Sequence, residues 1–102
     1  MLFRSANHNQ TAYDYLRTHG VPVHWTPGYF ALTHKKTLVV DGRTSIIMTF
    51  NFTPRYYATG RDFGVTDSDT NDVRAIETTF SADWRNQKIT TPTGDDLLWS
   101  PG

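Results

Sequence analysis

The stretch Thr33-His34-Lys35-Lys36-Thr37-Leu38-Val39-Val40-Asp41 sets three chemically active side chains, His34, Lys36 and Asp41, in the arrangement His-x-Lys-x4-Asp as an apolar, β-branched run begins. The run predicts a strand over 36–41. Residues two apart on an extended chain point to one face, so His34 and Lys36 are expected side by side in a single pocket. An imidazole nucleophile beside an ammonium suits attack on an anionic phosphoryl centre, because the attacker must approach phosphorus through a shell of negative oxygens.

Working outward, Gly42-Arg43 reads as a turn and 45–50, rich in Ile and Met, as a second strand, so the two form a hairpin. A loop over 51–61 and a short strand over 63–66 follow. Val73, Ile76, Phe80 and Trp84 recur on one face of a helix over 71–84, with Asp69, Thr70 and Asn71 as cap candidates and Phe80 and Trp84 placed in the core. Upstream, Ala12, Tyr13 and Leu16 predict a helix over 9–19, capped by Asn9 and ended by Gly20. A strand over 21–25 starts or edges a sheet at Pro22. The aromatic loop 25–32, with Pro27, Gly28, Tyr29 and Phe30, then delivers the chain to His34. Strands with helices at both ends indicate an α/β unit of three layers, a mixed β-sheet flanked by helices.

Beyond Asp41, Met48-Thr49-Phe50-Asn51 falls where the phospholipase D superfamily carries Gly-Ser-x-Asn, and Asp62 falls where some members carry an acid. With His34, Lys36 and Asp41, these residues make the chain resemble that superfamily over roughly 21–84. Its members include phospholipases, cardiolipin synthases, a small endonuclease and a tyrosyl-DNA phosphodiesterase. The resemblance implies a phospholipase D-like half-domain in which His34, Lys36 and Asp41 form the catalytic motif. His34 is implied to be nucleophile or general acid, and Lys36 and Asn51 to hold phosphate oxygens. Thr49 takes the place of the family Ser in the phosphate site, Asp41 is structural, and Asp62 supports the site by orienting a histidine. Met48 departs from the small Gly of the pattern, which widens the turn or narrows the pocket.

Composition narrows the partners. At 102 residues the chain has room for one modest domain. It has no cysteine, hence no disulfide framework and no thiolate zinc site. Ten basic residues balance ten acidic ones, so no broad electrostatic footprint marks nucleic acid or anionic lipid, and attraction for phosphate must be local. No run approaches the roughly 20 apolar residues of a membrane span, and the start lacks a signal-peptide layout.

Several residues have plainer readings. Lys35 alternates to the other side of the strand from Lys36 and is assigned no role. His8, His19 and His24 lack ligand spacing, so no metal or other cofactor is implied. Tyr29, Phe30, Tyr56 and Tyr57 either line a substrate groove or pack on their own domain, and Arg55 is a further candidate phosphate contact.

The ends read as additions to a half-domain over 9–88. Met1-Leu2-Phe3-Arg4-Ser5 shows neither cap nor pattern and matches what a common sequencing adapter would encode, so 1–8 reads as an extension of unsettled origin. With Pro92, Gly94 and Pro101, 89–102 reads as a linker toward a missing second half, although Leu97-Leu98-Trp99 is apolar enough to dock. One imidazole cannot serve as nucleophile and acid in the same step, so the chemistry requires a second histidine motif. It comes from the same polypeptide or from a homodimer. The expected function is that of a phosphodiesterase or phosphatidyltransferase working through a phosphohistidine on a phosphodiester, with phospholipid ahead of nucleic acid. The alternatives are a dimeric nuclease of the same superfamily and a catalytically degenerate scaffold half.

Overall fold

The computed structural model describes residues 1–3, 8–52 and 54–100, without the side chain of Tyr56. Arg4, Ser5 and Pro101, named above, lie outside the described residues. Two compact units divide the chain, Met1–His34 with Phe80–Ile89, and Lys35–Thr79 with Thr90–Gly102.

In the first unit β1 (Leu2–Phe3) pairs in parallel with β2 (His24–Trp25), and helix α1 (Gln10–Thr18) supplies the crossover that a parallel pair requires. Tyr13 stacks on Trp25 with ring centroids 4.3 Å apart, Phe3 meets Trp25 edge-on, and the Tyr13 hydroxyl donates to the Val23 carbonyl at 3.3 Å. Aromatic contact therefore holds α1 to the strands. The helix ends where Gly20 takes φ 78°: Val21 N–H reaches the Leu16 carbonyl and Gly20 N–H that of Arg17, the two bonds of a Schellman cap. Asn9 stands at the N-cap position but its side chain makes no capping bond, contrary to expectation; its carbonyl instead accepts from Tyr13 N–H.

Three further expectations for this unit are corrected. Met1–Phe3 is not patternless: Leu2 and Phe3 form β1, whose single parallel partner lies over twenty residues away. The strand expected over 21–25 shortens to His24–Trp25, the residues that stand in register with Leu2 and Phe3. Phe80 is 38 % exposed and Trp84 half-buried, so neither is core; Trp84 instead lies flat on His24 at 3.9 Å, and His24 Nδ1–H caps the Trp84 carbonyl at 3.1 Å.

In the second unit β3 (Thr37–Val40), β4 (Thr44–Met48) and β5 (Gly64–Asp67) form an antiparallel sheet with β4 in the middle. Thr37 lies opposite Ile47, which lies opposite Val65. The β3–β4 turn is built by Asp41 and Gly42, both at positive φ (54° and 62°), with Arg43 N–H returning to the Val40 carbonyl at 3.1 Å. Asp and Gly are the residues that take this geometry most readily. A 3-10 turn, Pro54–Tyr56, lies between β4 and β5.

Helix α2 (Thr70–Trp84) begins in this unit, where Asp69 caps it by accepting from Asn71 and Asp72 N–H at 2.8 and 3.2 Å. Val73, Ala75 and Ile76 on its first turns are buried. The C-terminal segment docks through a polar contact, Asp96 N–H on the Asp72 carboxylate, and not through Leu98, which is fully exposed.

Parallel and antiparallel pairings with two helices make the protein α/β, the parallel pair in one unit and the antiparallel sheet in the other. Among the described residues no helix is long and apolar enough to cross a membrane.

Candidate functional site

The motif residues stand at the lip of β3. His34 and Lys36 both precede Thr37, contrary to the expectation of a strand beneath them. The cause lies in the partner strand: β4 stops at Met48, whose N–H donates to the Lys36 carbonyl at 2.9 Å, and Thr49 then turns to pair with Phe63. No ladder continues opposite 33–35. Lys36 is half-buried and anchored by that last bond, while His34, exposed, is the final residue of the first unit.

Asp41 is carried to the other end. It sits at positive φ in the exposed turn after the four residues of β3, and the structure does not bring it to Lys36. Met48, which replaces a Gly of the family pattern, is buried. Its register partner is Gly64, where an added Cβ would lie 3.7 Å from the Met48 side chain. A large residue on β4 is thus matched by the smallest one on β5, and the substitution is absorbed inside the sheet.

Thr49 and Asp62 meet where β4 ends and β5 begins. The Thr49 hydroxyl donates to Asp62 Oδ1 at 2.9 Å and accepts from Phe63 N–H at 2.9 Å, while Thr49 N–H donates to the Phe63 carbonyl at 2.9 Å. Asp62, expected to orient a histidine, has Thr49 as its partner. Thr49, expected at phosphate, has its only hydroxyl proton directed to Asp62. Both contacts have one physical origin, the antiparallel return of 62–63 alongside 49, between residues 13 apart in sequence that no local pattern announces.

Asn51, two residues farther on, is exposed, and its side chain makes no hydrogen bond among the described residues. Aromatic side chains surround it in sequence: Phe50 and Phe52 meet edge-on at 6.2 Å, and Phe52 and Phe63 are each more than 60 % exposed. The readable signal for these two is that each directly follows a site residue, in Asn51-Phe52 and Asp62-Phe63. Tyr29, a groove candidate, instead donates its hydroxyl to the Gln87 carbonyl at 3.0 Å and packs on Phe30 within the first unit. Arg55 lies on the 3-10 turn.

A cavity of about 460 Å³ opens in the first unit among Val21, Pro22, Phe80, Trp84 and Arg85, and includes none of the motif residues in its lining. Among the described residues, no three acidic or histidine side chains converge as metal ligands would.

No curated protein and no solved structure matches the chain. The family model described as cardiolipin synthase, PLD-like domain, matches residues 4–84, a span that takes in His34, Lys36, Thr49, Asn51 and Asp62. With most of its length matched, the chain belongs to the cardiolipin synthase, PLD-like domain family of the phospholipase D superfamily.

Proposed function

We propose that the protein supplies one half of a phospholipase D-like active site, over 9–88, and acts on a phosphodiester as a phosphodiesterase or phosphatidyltransferase. The observation that carries the reading is the exposed Asn51 amide, without a hydrogen-bond partner among the described residues, on the chain leaving the sheet end at which Lys36 is anchored. A carboxamide and an ammonium donate to non-bridging phosphate oxygens, where charge shifts in the transition state. His34 is two residues from Lys36, and the chain alone keeps their Cα atoms within about 7 Å.

In the first step a lone pair of the His34 imidazole forms a bond to phosphorus as the bond to the leaving oxygen breaks. A histidine from a second half, joined through 89–102 or brought by a second copy, gives that oxygen its proton. Water or an alcohol then attacks phosphorus, surrenders its proton to the second histidine and displaces His34. Water gives hydrolysis and an alcohol gives transfer. The exposed Phe52 and Phe63, with the balanced net charge, favour a phospholipid over nucleic acid, whose polyanion calls for a basic track.

The test is incubation with a phosphodiester and its second half, followed by an acid quench. An acid-labile phosphoprotein is expected with wild type and not with His34→Ala. Undiminished turnover by His34→Ala would remove His34 from the reaction.

A further inference from the structure

Resting on the reading of Lys36 and Asn51 as phosphate ligands, we propose that Thr49 and Asp62 are a positioning pair. They fix the departure of the chain from β4 and so aim Asn51, and Thr49 itself does not touch phosphate. A phosphodiester oxygen offers only lone pairs, so a hydroxyl binds it by donating. Thr49 has one hydroxyl hydrogen, and Asp62 Oδ1 holds it at 2.9 Å. The next acceptor in reach, the Phe63 carbonyl at 3.4 Å, is again protein, and one Thr49 lone pair is taken by Phe63 N–H. Turning to phosphate would mean leaving a carboxylate, the stronger kind of acceptor.

The main chain is held at the same point. Thr49 N–H donates to the Phe63 carbonyl, so backbone and side chain of Thr49 are both tied to 62–63, and Asn51 starts two residues from a fixed origin.

The probe is inorganic phosphate, titrated into the full chain while the Asn51 side-chain amide is followed by NMR. Amide exchange at Phe63 is the second readout. Thr49→Val and Asp62→Ala should each weaken phosphate binding at Asn51 by about tenfold, the scale of one lost hydrogen bond, and the double variant by no more than either alone. Thr49→Ser and Asp62→Asn, which keep the donor and the acceptor, should bind nearly as wild type. Phe63 exchange should quicken in Thr49→Val. If Thr49 is itself a phosphate ligand, Asp62→Ala frees its proton and tightens binding while Thr49→Val weakens it, and such opposite signs overturn the proposal. Additive losses or unchanged Phe63 exchange overturn it as well. A wild-type Asn51 amide that does not respond to phosphate overturns the functional reading beneath it, and the Phe63 exchange, which involves no phosphate, tells that failure from failure of the pair.

Discussion

The backbone N–H of Asp96 donates to the carboxylate of Asp72 at 2.8 Å, so a buried acid in the first turn of α2 holds the C-terminal segment to its unit. That bond pulls the Asp72 pKa down, but desolvation and the facing carboxylates of Asp67 and Asp69 outweigh it and hold the group above its ordinary 3.8. An acid with a raised native pKa binds its proton more readily folded than unfolded. Its contribution to stability is therefore present below 3.8 and lost as pH rises through the interval up to the native value. Asp72→Asn keeps an acceptor for Asp96 and removes the charge, so it should flatten this fall and raise stability at neutral pH. Urea unfolding from pH 4 to pH 7 measures both, and an unaltered slope would show that Asp72 does not titrate there.

Capping of α2 predicts a separate loss. Asp69→Ala removes the acceptor of two N–H groups and should cost about 1 kcal/mol, while Asp69→Asn should cost much less. Denaturant midpoints of the two variants decide it.

At the hairpin turn, positive φ sets the rule for substitution. Asp41→Asn should be near neutral for stability, whereas Asp41→Val and Gly42→Ala should each destabilise by about 1–2 kcal/mol, because a β-branched side chain at 41 and a Cβ added at 42 both disfavour the left-handed region. At Gly42 the new Cβ would also stand 3.4 Å from Glu77 Oε1. Thermal unfolding of a properly folded Asp41→Val protein at wild-type temperature would contradict the conformational role.

Gly64 behaves in the opposite way. Its φ lies outside the left-handed region and an added Cβ meets Met48, Phe50 and the Ile47 carbonyl only at ordinary contact distances, so Gly64→Ala should stabilise by about 0.5–1 kcal/mol. Gly64→Leu would press on Met48 and should destabilise. A loss of stability in Gly64→Ala would mean that β5 requires glycine for its backbone.

Activity should depend on a partner. Leaving-group protonation contributes about 10²–10⁴-fold, so the chain as a monomer should turn over a phosphodiester slowly, and enforced dimerisation or an added second half should raise the rate. Sedimentation run beside the assay checks it; a strict monomer with full, His34-dependent turnover would refute a shared site.

Local chemistry was legible in the sequence and non-local pairing was not. Gly20 ending α1 and Val73 and Ile76 facing inward each follow from a few neighbouring residues, whereas the hairpin turn, read at Gly42-Arg43, begins one residue earlier, with Asp41 at positive φ. β1 is two residues long, too short for any period, and exists only because His24 and Trp25 pass beside it. Phe80 and Trp84 continue the helical repeat of Val73 and Ile76, yet periodicity gives a face and not its cover; Phe80 borders an open cavity instead. In the site, Lys36 and Asn51 were readable as a motif, but the partner of Thr49 depended on which strand returned beside it.

The four positions between Lys36 and Asp41 in His-x-Lys-x4-Asp are β3 itself, Thr37–Val40. Asp41 opens the turn, and Thr44–Met48 brings the chain back to the Lys36 carbonyl. The motif is a measured span: one residue added within Thr37–Val40 would slip the ladder by one and turn the side chains on one side of the insertion to the opposite face. Many apolar sequences would serve in that interval, provided none changed its length. What the x4 encodes is a distance.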